Sequence, residues 1–191
     1  MKDIVLNGIC KSFGDKWVIS NVSAVFPAGK TSCIRAASGV GKTTLLRIMM
    51  GLDKPDRGSI AGLESAKMSV VFQEDRLCEA MTVAENTRLV APELSDGEIA
   101  AAMKAVGLTN CEKQPVCELS GGMRRRAAIV RAVLYGGDVF MLDEPFKGLD
   151  EQTKCEVINF IKARFYGKTV ILITHDENEA EALGCEYTLK L

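Results

Sequence analysis

The feature that most constrains the fold is a glycine-containing loop at residues 36–43 (AASGVGKT), which lies between an apolar run and a helical pattern. Residues 32–34 precede the loop as a short buried strand, and residues 44–49 (TLLRIM) continue it as a helix. Because Gly39 and Gly41 have no Cβ, backbone N–H groups can converge on one anion. This strand, loop and helix order is typical of a phosphate-binding loop in an α/β fold.

The side chains that follow the loop predict contacts with a nucleotide. A helix that begins near Lys42 places a partial positive charge at its N-terminus, and the Lys42 ammonium neutralises phosphate oxygens. The Thr43 hydroxyl is placed to ligate Mg²⁺. The predicted nucleotide-binding residues of this segment are Ser38, Gly39, Val40, Gly41, Lys42, Thr43 and Thr44. The alternative is a plain glycine-rich turn ahead of a helix.

Other short unbroken apolar runs predict a parallel sheet that is covered on both faces. They lie at residues 69–72, 139–142 and 170–173, with a last strand near Tyr187. Helical patterns between several of these runs favour the α/β class. Residues 1–30 instead alternate and contain turn pairs, which indicates an antiparallel edge sheet.

A small helical insert is predicted at about residues 76–118, where the alternation of strands and helices is broken. Thr82 and Ser95 each open a pattern with glutamate three residues later, which is the capping box of a helix start. Gly107 is a suitable C-cap for the second helix. We therefore expect a single domain over residues 1–191, with a core at 1–75 and 119–191 around the insert.

Composition excludes several classes of protein. The net charge of −1 gives no reason to expect nucleic acid as a partner. The seven cysteines form no C-x-x-C pair and the chain has one histidine, so reduced thiols are favoured over disulfides or a metal site. No apolar run is long enough to span a bilayer, and the N-terminal residues do not form a secretory signal.

A second anion-binding pattern lies at residues 119–123 (LSGGM), which we call the LSGG segment. Ser120, Gly121 and Gly122 open a helix that runs to about Tyr135, so free N–H groups and a hydroxyl face outward. A serine N-cap followed by flexible glycines is the alternative. The basic residues 124–126 that follow are interpreted as a solvated helix face.

Two consecutive carboxylates end the apolar run at residues 139–142. Asp143 ends a buried strand, where its charge requires a cation, and Mg²⁺ supplies one. On an extended chain Glu144 would point the other way, where it could polarise a water for attack on a phosphate as a general base. An acidic pair that caps the turn at Pro145 is the alternative.

The phosphate loop, the LSGG segment and the two carboxylates, in this order, resemble the ATP-binding cassette (ABC) ATPases over about residues 4–189. The resemblance implies a P-loop NTPase (RecA-like) core, with an antiparallel β edge subdomain and an inserted helical subdomain. It implies ATP and Mg²⁺ as cofactors and a hydrolytic reaction. It also implies that Ser120, Gly121 and Gly122 cover the ATP of a second subunit in a head-to-tail dimer, which we expect to be a homodimer.

The same resemblance implies roles for four isolated residues. Gln73 would contact Mg²⁺ or the attacking water and connect the nucleotide state to a membrane partner, whereas a glutamine after a strand is commonly only a surface residue. His175 would contact the γ-phosphate, although a lone histidine is more often structural. Phe13 would stack on adenine, unless it packs into the edge sheet. Asp150 would lie in a loop across the dimer interface.

Residues 119–124 (LSGGMR) and 71–75 (VFQED) resemble the nitrate, sulfonate and taurine importer branch. This implies a cytoplasmic subunit, peripheral on the cytoplasmic face of the membrane, that drives separate permease subunits, with an extracytoplasmic solute-binding protein as a further partner. An exporter-type motor, a non-transport ABC ATPase and a nucleotide-binding scaffold remain alternatives. Ala36 and Ala37 depart from the usual glycine and proline, and Arg35 either reaches solvent or pairs with a carboxylate.

Overall fold

The computed structural model describes residues 1–35 and 39–191, which form two compact units. The phosphate-loop unit comprises Met1–Met68, Gly137–Asp143 and Gly167–Leu191. The helical unit comprises Ser69–Gly136 and Glu144–Tyr166. The sequence features at Ala36 and Ala37, and the predicted nucleotide contact Ser38, lie outside the described residues.

The elements follow one another as strands and helices along the described chain. The strands are β1 (Ile4–Phe13), β2 (Lys16–Phe26), β3 (Thr31–Arg35), β4 (Arg57–Ala61), β5 (Met68–Val71), β6 (Val139–Asp143), β7 (Thr169–Ile173) and β8 (Tyr187–Lys190). The helices are α1 (Lys42–Met49), α2 (Val83–Arg88), α3 (Asp96–Ala105), α4 (Gly121–Tyr135), α5 (Glu151–Lys162) and α6 (Glu177–Ala182). None of these helices is long and apolar enough to cross a membrane.

The phosphate-loop unit contains an antiparallel sheet with the strand order β2-β1-β4. β1 and β2 form a hairpin in the predicted antiparallel edge sheet, from the Ile4 and Phe26 pair at its open end to the Phe13 and Lys16 pair at its tip. The third strand of this sheet, β4, was not predicted from the sequence. Its five residues (RGSIA) include a glycine and are mostly exposed, so they give no strand-like apolar pattern.

The same unit contains the predicted parallel strands in the order β6-β7-β3-β8. β6 and β7 are buried along their whole length, which explains their unbroken apolar sequences. Asp143 pairs with Ile173 and Ile34 also pairs with Ile173, so β6, β7 and β3 end at one edge. In an α/β fold this carboxyl edge is where ligands bind. The α/β fold class is confirmed.

In the helical unit, α2 and α3 begin at the predicted capping boxes. Glu85 accepts from the backbone N–H of Thr82 at 2.8 Å, and Glu98 accepts from that of Ser95 at 2.9 Å. Together with the hydroxyl groups of Thr82 and Ser95, these bonds hold the pKa of both glutamates below its usual value. Gly107 follows the end of α3 with φ 70°, where its N–H donates to the carbonyl of Lys104 at 3.0 Å.

The fifteen-residue helix α4 lies against α2 and α3, and α3 also contacts α5. It begins at Gly121, because Ser120 provides the N-cap. Its buried face consists of Arg125, Ala127, Ala128, Ile129, Val130, Ala132 and Val133. A single charged residue therefore lies among small and branched apolar ones, which is unusual unless its donors are satisfied.

Candidate functional site

Thr43 and Asp143 meet at the carboxyl edge of the parallel sheet. Asp143 is the last residue of β6 and only 2% exposed, and the Thr43 hydroxyl donates to its Oδ2 at 3.2 Å. Mg²⁺ prefers oxygen ligands and commonly takes only one or two from the protein, with substrate phosphates nearby. No cluster of three or more histidine, cysteine or acidic side chains that could hold a metal by itself occurs in residues 1–35 and 39–191. A hydroxyl and a buried carboxylate therefore fit Mg²⁺.

The start of α1 is shaped by two glycines with positive φ, 84° at Gly39 and 88° at Gly41. A Cβ at Gly41 would lie 2.7 Å from the carbonyl oxygen of Val18, so only glycine fits there. Lys42, the first helical residue, is 8% exposed. No side chain within the described residues caps α1, so its first N–H groups retain their capacity for an anion.

His175 and Arg35 lie at the ends of neighbouring strands. His175 is exposed and follows β7, one residue before Asp176, the N-cap of α6. Arg35, the last residue of β3, donates to Glu177 on α6 at 2.7 Å. Of the two alternatives for Arg35, pairing with a carboxylate is the one that the structure shows.

Two aromatic rings lie on the β1 and β2 hairpin. Phe13 is 56% exposed, with the ammonium of Lys11 at 5.6 Å from its ring centroid. Trp17 is 50% exposed, with Arg57 at 5.9 Å. The predicted adenine platform thus has exposed surface on which a base could stack, and Trp17 is a second ring of similar exposure.

The helical unit has a cavity of about 280 Å³ beside the LSGG segment. Its walls are formed by Gln73, Asp75, Gly121, Gly122, Arg125, Lys147 and Gly148. Two predicted groups of site residues, the glutamine and the glycines, therefore share one cavity. The sequence did not predict the charged members Asp75, Arg125 and Lys147. Outside the cavity lining, Ser120 caps α4 by accepting from the N–H of Met123 at 3.3 Å.

Glu144 does not continue β6 as an extended residue, so that part of the prediction is wrong. Its φ is 45°, because the chain turns at Pro145 and the N–H of Lys147 returns to the Glu144 carbonyl at 3.2 Å. The carboxylate is 13% exposed and lies 3.6 Å from the Lys147 ammonium. A left-handed conformation costs a residue with a Cβ on the order of 1–3 kcal/mol, and surrounding contacts must hold it.

Asp150 is the N-cap of α5. Its carboxylate accepts from the Thr153 N–H at 3.0 Å and from the Thr153 hydroxyl at 2.7 Å, which lowers its pKa. The turn before it approaches the LSGG segment, because a Cβ at Gly122 would lie 3.6 Å from the Leu149 side chain. The interface role predicted for Asp150 stays a prediction, and its capping role is structural.

Arg125 corrects the interpretation of residues 124–126 as a solvated face. Successive helical residues point about 100° apart, so one of three basic neighbours can face inward while the others do not. Arg125 is four residues before the buried Ile129 and is itself 4% exposed. Its guanidinium donates to backbone carbonyls in two segments of the helical unit, at residues 72–73 and 144–145. The four-residue spacing between Arg125 and Ile129 was the sequence signal that could have predicted burial of Arg125.

Comparison with known proteins places the chain in a family. Residues 19–147 match the ABC transporter family, and the chain belongs to it. The chain is 35% identical over 189 residues to the aliphatic sulfonates import ATP-binding protein SsuB 2 of Pseudomonas aeruginosa. The aligned region covers 95% of this chain and 69% of that relative. It is 36% identical over 187 residues to SsuB of Cupriavidus necator, over 92% of this chain and 62% of that protein.

Solved structures agree with that membership. The dimeric structure of MJ0796, a bacterial ABC transporter cassette, matches with a TM-score of 0.85 and 27% identity, over 98% of this chain and 94% of that one. A post-hydrolysis state of MJ0796 bound to ADP and Pi matches with a TM-score of 0.86 at the same identity and coverage. The chain is an ATP-binding subunit of an ABC transporter and an ATPase.

Proposed function

We propose that the chain binds ATP with Mg²⁺ and hydrolyses it to drive import of a small solute through separate membrane permease subunits. The observation that carries this proposal is the contact between Thr43 and the buried Asp143 at the carboxyl edge of the parallel sheet. It places a hydroxyl and a carboxylate beside a helix start that no described side chain caps. This combination suits a nucleotide phosphate and its metal.

In this proposal the phosphate-loop unit binds the nucleotide. The N–H groups from Gly39 to Thr44, with Ser38, hold phosphate oxygens, and the Lys42 ammonium offsets their charge. Thr43, Asp143 and Gln73 would hold Mg²⁺, which when bound neutralises charge that develops on the phosphates. Phe13 stacks on the adenine.

Hydrolysis requires a base and a contact for the γ-phosphate. Glu144 accepts a proton from the attacking water, and the Lys147 ammonium lies 3.6 Å from its carboxylate. Gln73 orients that water or reports the state of the nucleotide to the permease. His175, exposed at the end of β7, contacts the γ-phosphate.

We further propose a head-to-tail homodimer in which Ser120, Gly121, Gly122 and Asp150 face the nucleotide of the partner. The exposed start of α4 has the features of a second anion-binding surface, in addition to the one proposed at the start of α1. The related cassette MJ0796 is described as dimeric, which supports a dimer but does not bear on its head-to-tail arrangement.

The proposed location is the cytoplasmic face of the membrane, and the proposed direction is import. Relatives at about one third identity are named as import ATP-binding proteins for aliphatic sulfonates. A small sulfonate is therefore the first solute to test, with an extracytoplasmic solute-binding protein as a further partner. An exporter-type motor is the alternative that uses the same site residues.

Co-purification tests the transport proposal. Tagged Glu144→Gln protein, expected to bind ATP without turnover, is isolated with ATP from gently solubilised cells, and bound proteins are identified by mass spectrometry. An integral membrane partner is expected, with less of it in a matched Lys42→Ala control. Recovery of soluble partners alone would contradict the transport proposal. Uptake of labelled sulfonate by vesicles that contain the identified partner together with the wild-type chain then distinguishes import from export.

A further inference from the structure

Arg125 has five N–H donors and almost no access to solvent. Its side chain is 5% exposed. A buried guanidinium is tolerated only where its donors find acceptors, and its planar fork presents them in fixed directions. The identity of those acceptors therefore indicates what the side chain does.

One edge of the guanidinium holds the turn that contains Glu144. Nη2 donates to the Glu144 carbonyl at 2.8 Å, and Nε donates to the Pro145 carbonyl at 2.8 Å. Glu144 is in the left-handed region with φ 45°, which a residue with a Cβ adopts only where its surroundings fix it. Arg125 supplies two of the bonds that fix this conformation.

The other edge holds the segment that contains Gln73. Nη1 donates to the carbonyls of Phe72 and Gln73 and lies 3.3 Å from the Asp75 carboxylate. The same segment has a second attachment to α4, because Arg131 donates to the carbonyls of Asp75 and Arg76 at 3.1 and 2.7 Å. Arg131 has no such bond to the turn at Glu144 among the hydrogen bonds described.

We propose that Arg125 is a positioning residue for ATP hydrolysis, which fixes the backbone of Glu144 and that of Gln73 from one guanidinium. The bonds to the Glu144 turn aim its carboxylate, and the bonds at residues 72–73 keep the glutamine in register with it. This inference rests on the proposed role of Glu144 as the base. A lysine could not replace the arginine, because a single ammonium cannot reproduce a planar fork.

The test compares Arg125→Lys and Arg125→Gln with Arg131→Gln, a matched control on the same helix. For each variant kcat, KM for ATP, the Kd of a fluorescent ATP analogue and the melting temperature are measured. We expect kcat to fall about 10–100-fold at position 125, since a small displacement of a reacting group costs this much, while Kd changes less than about threefold. Arg131→Gln should lose stability with kcat within about threefold.

Two outcomes would overturn the proposal. One is an equal fall in kcat for the variants at 125 and 131 at equal loss of melting temperature, which a purely structural role would produce. The other is a weakening of nucleotide binding in proportion to the loss of kcat. Should both Arg125 variants fail to fold, Asp75→Asn leaves the arginine in place and releases its ion pair. A threefold or larger fall in kcat is then expected, and unchanged kcat would contradict the proposal.

A double variant separates this inference from the proposed function. If Arg125 acts through Glu144, Arg125→Lys combined with Glu144→Gln should be no slower than Glu144→Gln alone. Additive slowing would contradict action through Glu144. Near-normal turnover of Glu144→Gln alone would instead refute the assignment of the base. Full turnover of Arg125→Lys, in a protein that Glu144→Gln inactivates, would refute the positioning role only.

Discussion

The starts of α1 and α4 are both glycine-containing helix N-termini. They differ in whether a described side chain accepts a hydrogen bond from one of the first N–H groups. α1 begins after Gly41, whose left-handed backbone packs against Val18, and no described side chain caps it. α4 begins after Ser120, whose hydroxyl accepts from Met123. The other described α-helices resemble α4, with N-caps at Thr82, Ser95, Asp150 and Asp176.

The comparison indicates that a helix start suited to a tightly held ligand can be recognised because no described side chain caps it. A capped start satisfies itself in the free protein and offers its remaining N–H groups to a transient partner. An uncapped start depends on an external acceptor. Binding and turnover should therefore respond differently to changes in the phosphate-loop unit and in the helical unit.

The largest effect is expected from Glu144→Gln in the helical unit. Turnover should fall by about 10²–10⁴, roughly 3–5 kcal/mol of barrier, because the proposed base is removed. ATP binding, the proposed task of the α1 start, should remain. Steady-state ATPase assays and ATP-analogue titrations check this, with Glu151→Gln on the exposed side of α5 as a matched control. A loss of ATP binding as large as the loss of turnover would contradict the assignment of binding and turnover to different units.

Ser120→Ala tests the α4 start. A hydrogen bond to a charged group is worth about 1.5–3 kcal/mol, so turnover should fall about 10–100-fold if the serine contacts the partner's phosphate. Ser95→Ala is the control, because it also removes an N-cap of the helical unit, at a stability cost of about 1 kcal/mol. Equal turnover in the two variants would show that Ser120 only caps its helix.

Gly41→Ala tests the α1 start. An added Cβ would lie 2.7 Å from the Val18 carbonyl at φ 88°, and a left-handed alanine costs about 1–2 kcal/mol before that clash. ATP affinity should weaken about tenfold or more, as measured by titration of an ATP analogue. Gly97→Ala in α3, where nothing lies within 4 Å of the new Cβ, should bind normally. Normal binding by Gly41→Ala would mean that the loop is not held as described.

The smallest effect concerns acid stability of the antiparallel sheet. Asp56 accepts from the Lys11 ammonium and from the N–H and hydroxyl of Ser12, which lowers its pKa to about 2. Because this is below the unfolded value of about 4, the contribution is full above pH 4 and is lost as the pH falls toward 2. The melting-temperature gap between wild type and Asp56→Asn should close over that range. A melting-temperature difference that stays constant from pH 4 to pH 2 would contradict a stabilising role for the ionised Asp56 carboxylate.

The sequence predicted those parts of the molecule in which residue type and spacing determine the local structure. Capping boxes at Thr82 and Ser95 and the unbroken apolar strands are of this kind, because each follows from a local rule. The left-handed Glu144 was missed because its conformation is fixed by Arg125, nineteen residues earlier in the chain. Arg125 itself was misjudged because charge usually marks a helix surface, and burial of an arginine depends on acceptors from distant segments.

Because no described side chain caps the start of α1, a nucleotide bound there would supply acceptors for its first N–H groups. Ligand binding and stability would then be linked. ATP at about one hundred times its dissociation constant would add about 2.7 kcal/mol to the free energy of unfolding. In a cell with abundant ATP the bound nucleotide would thereby add to the stability of the subunit, and a fall in ATP would lower its resistance to proteolysis as well as its activity.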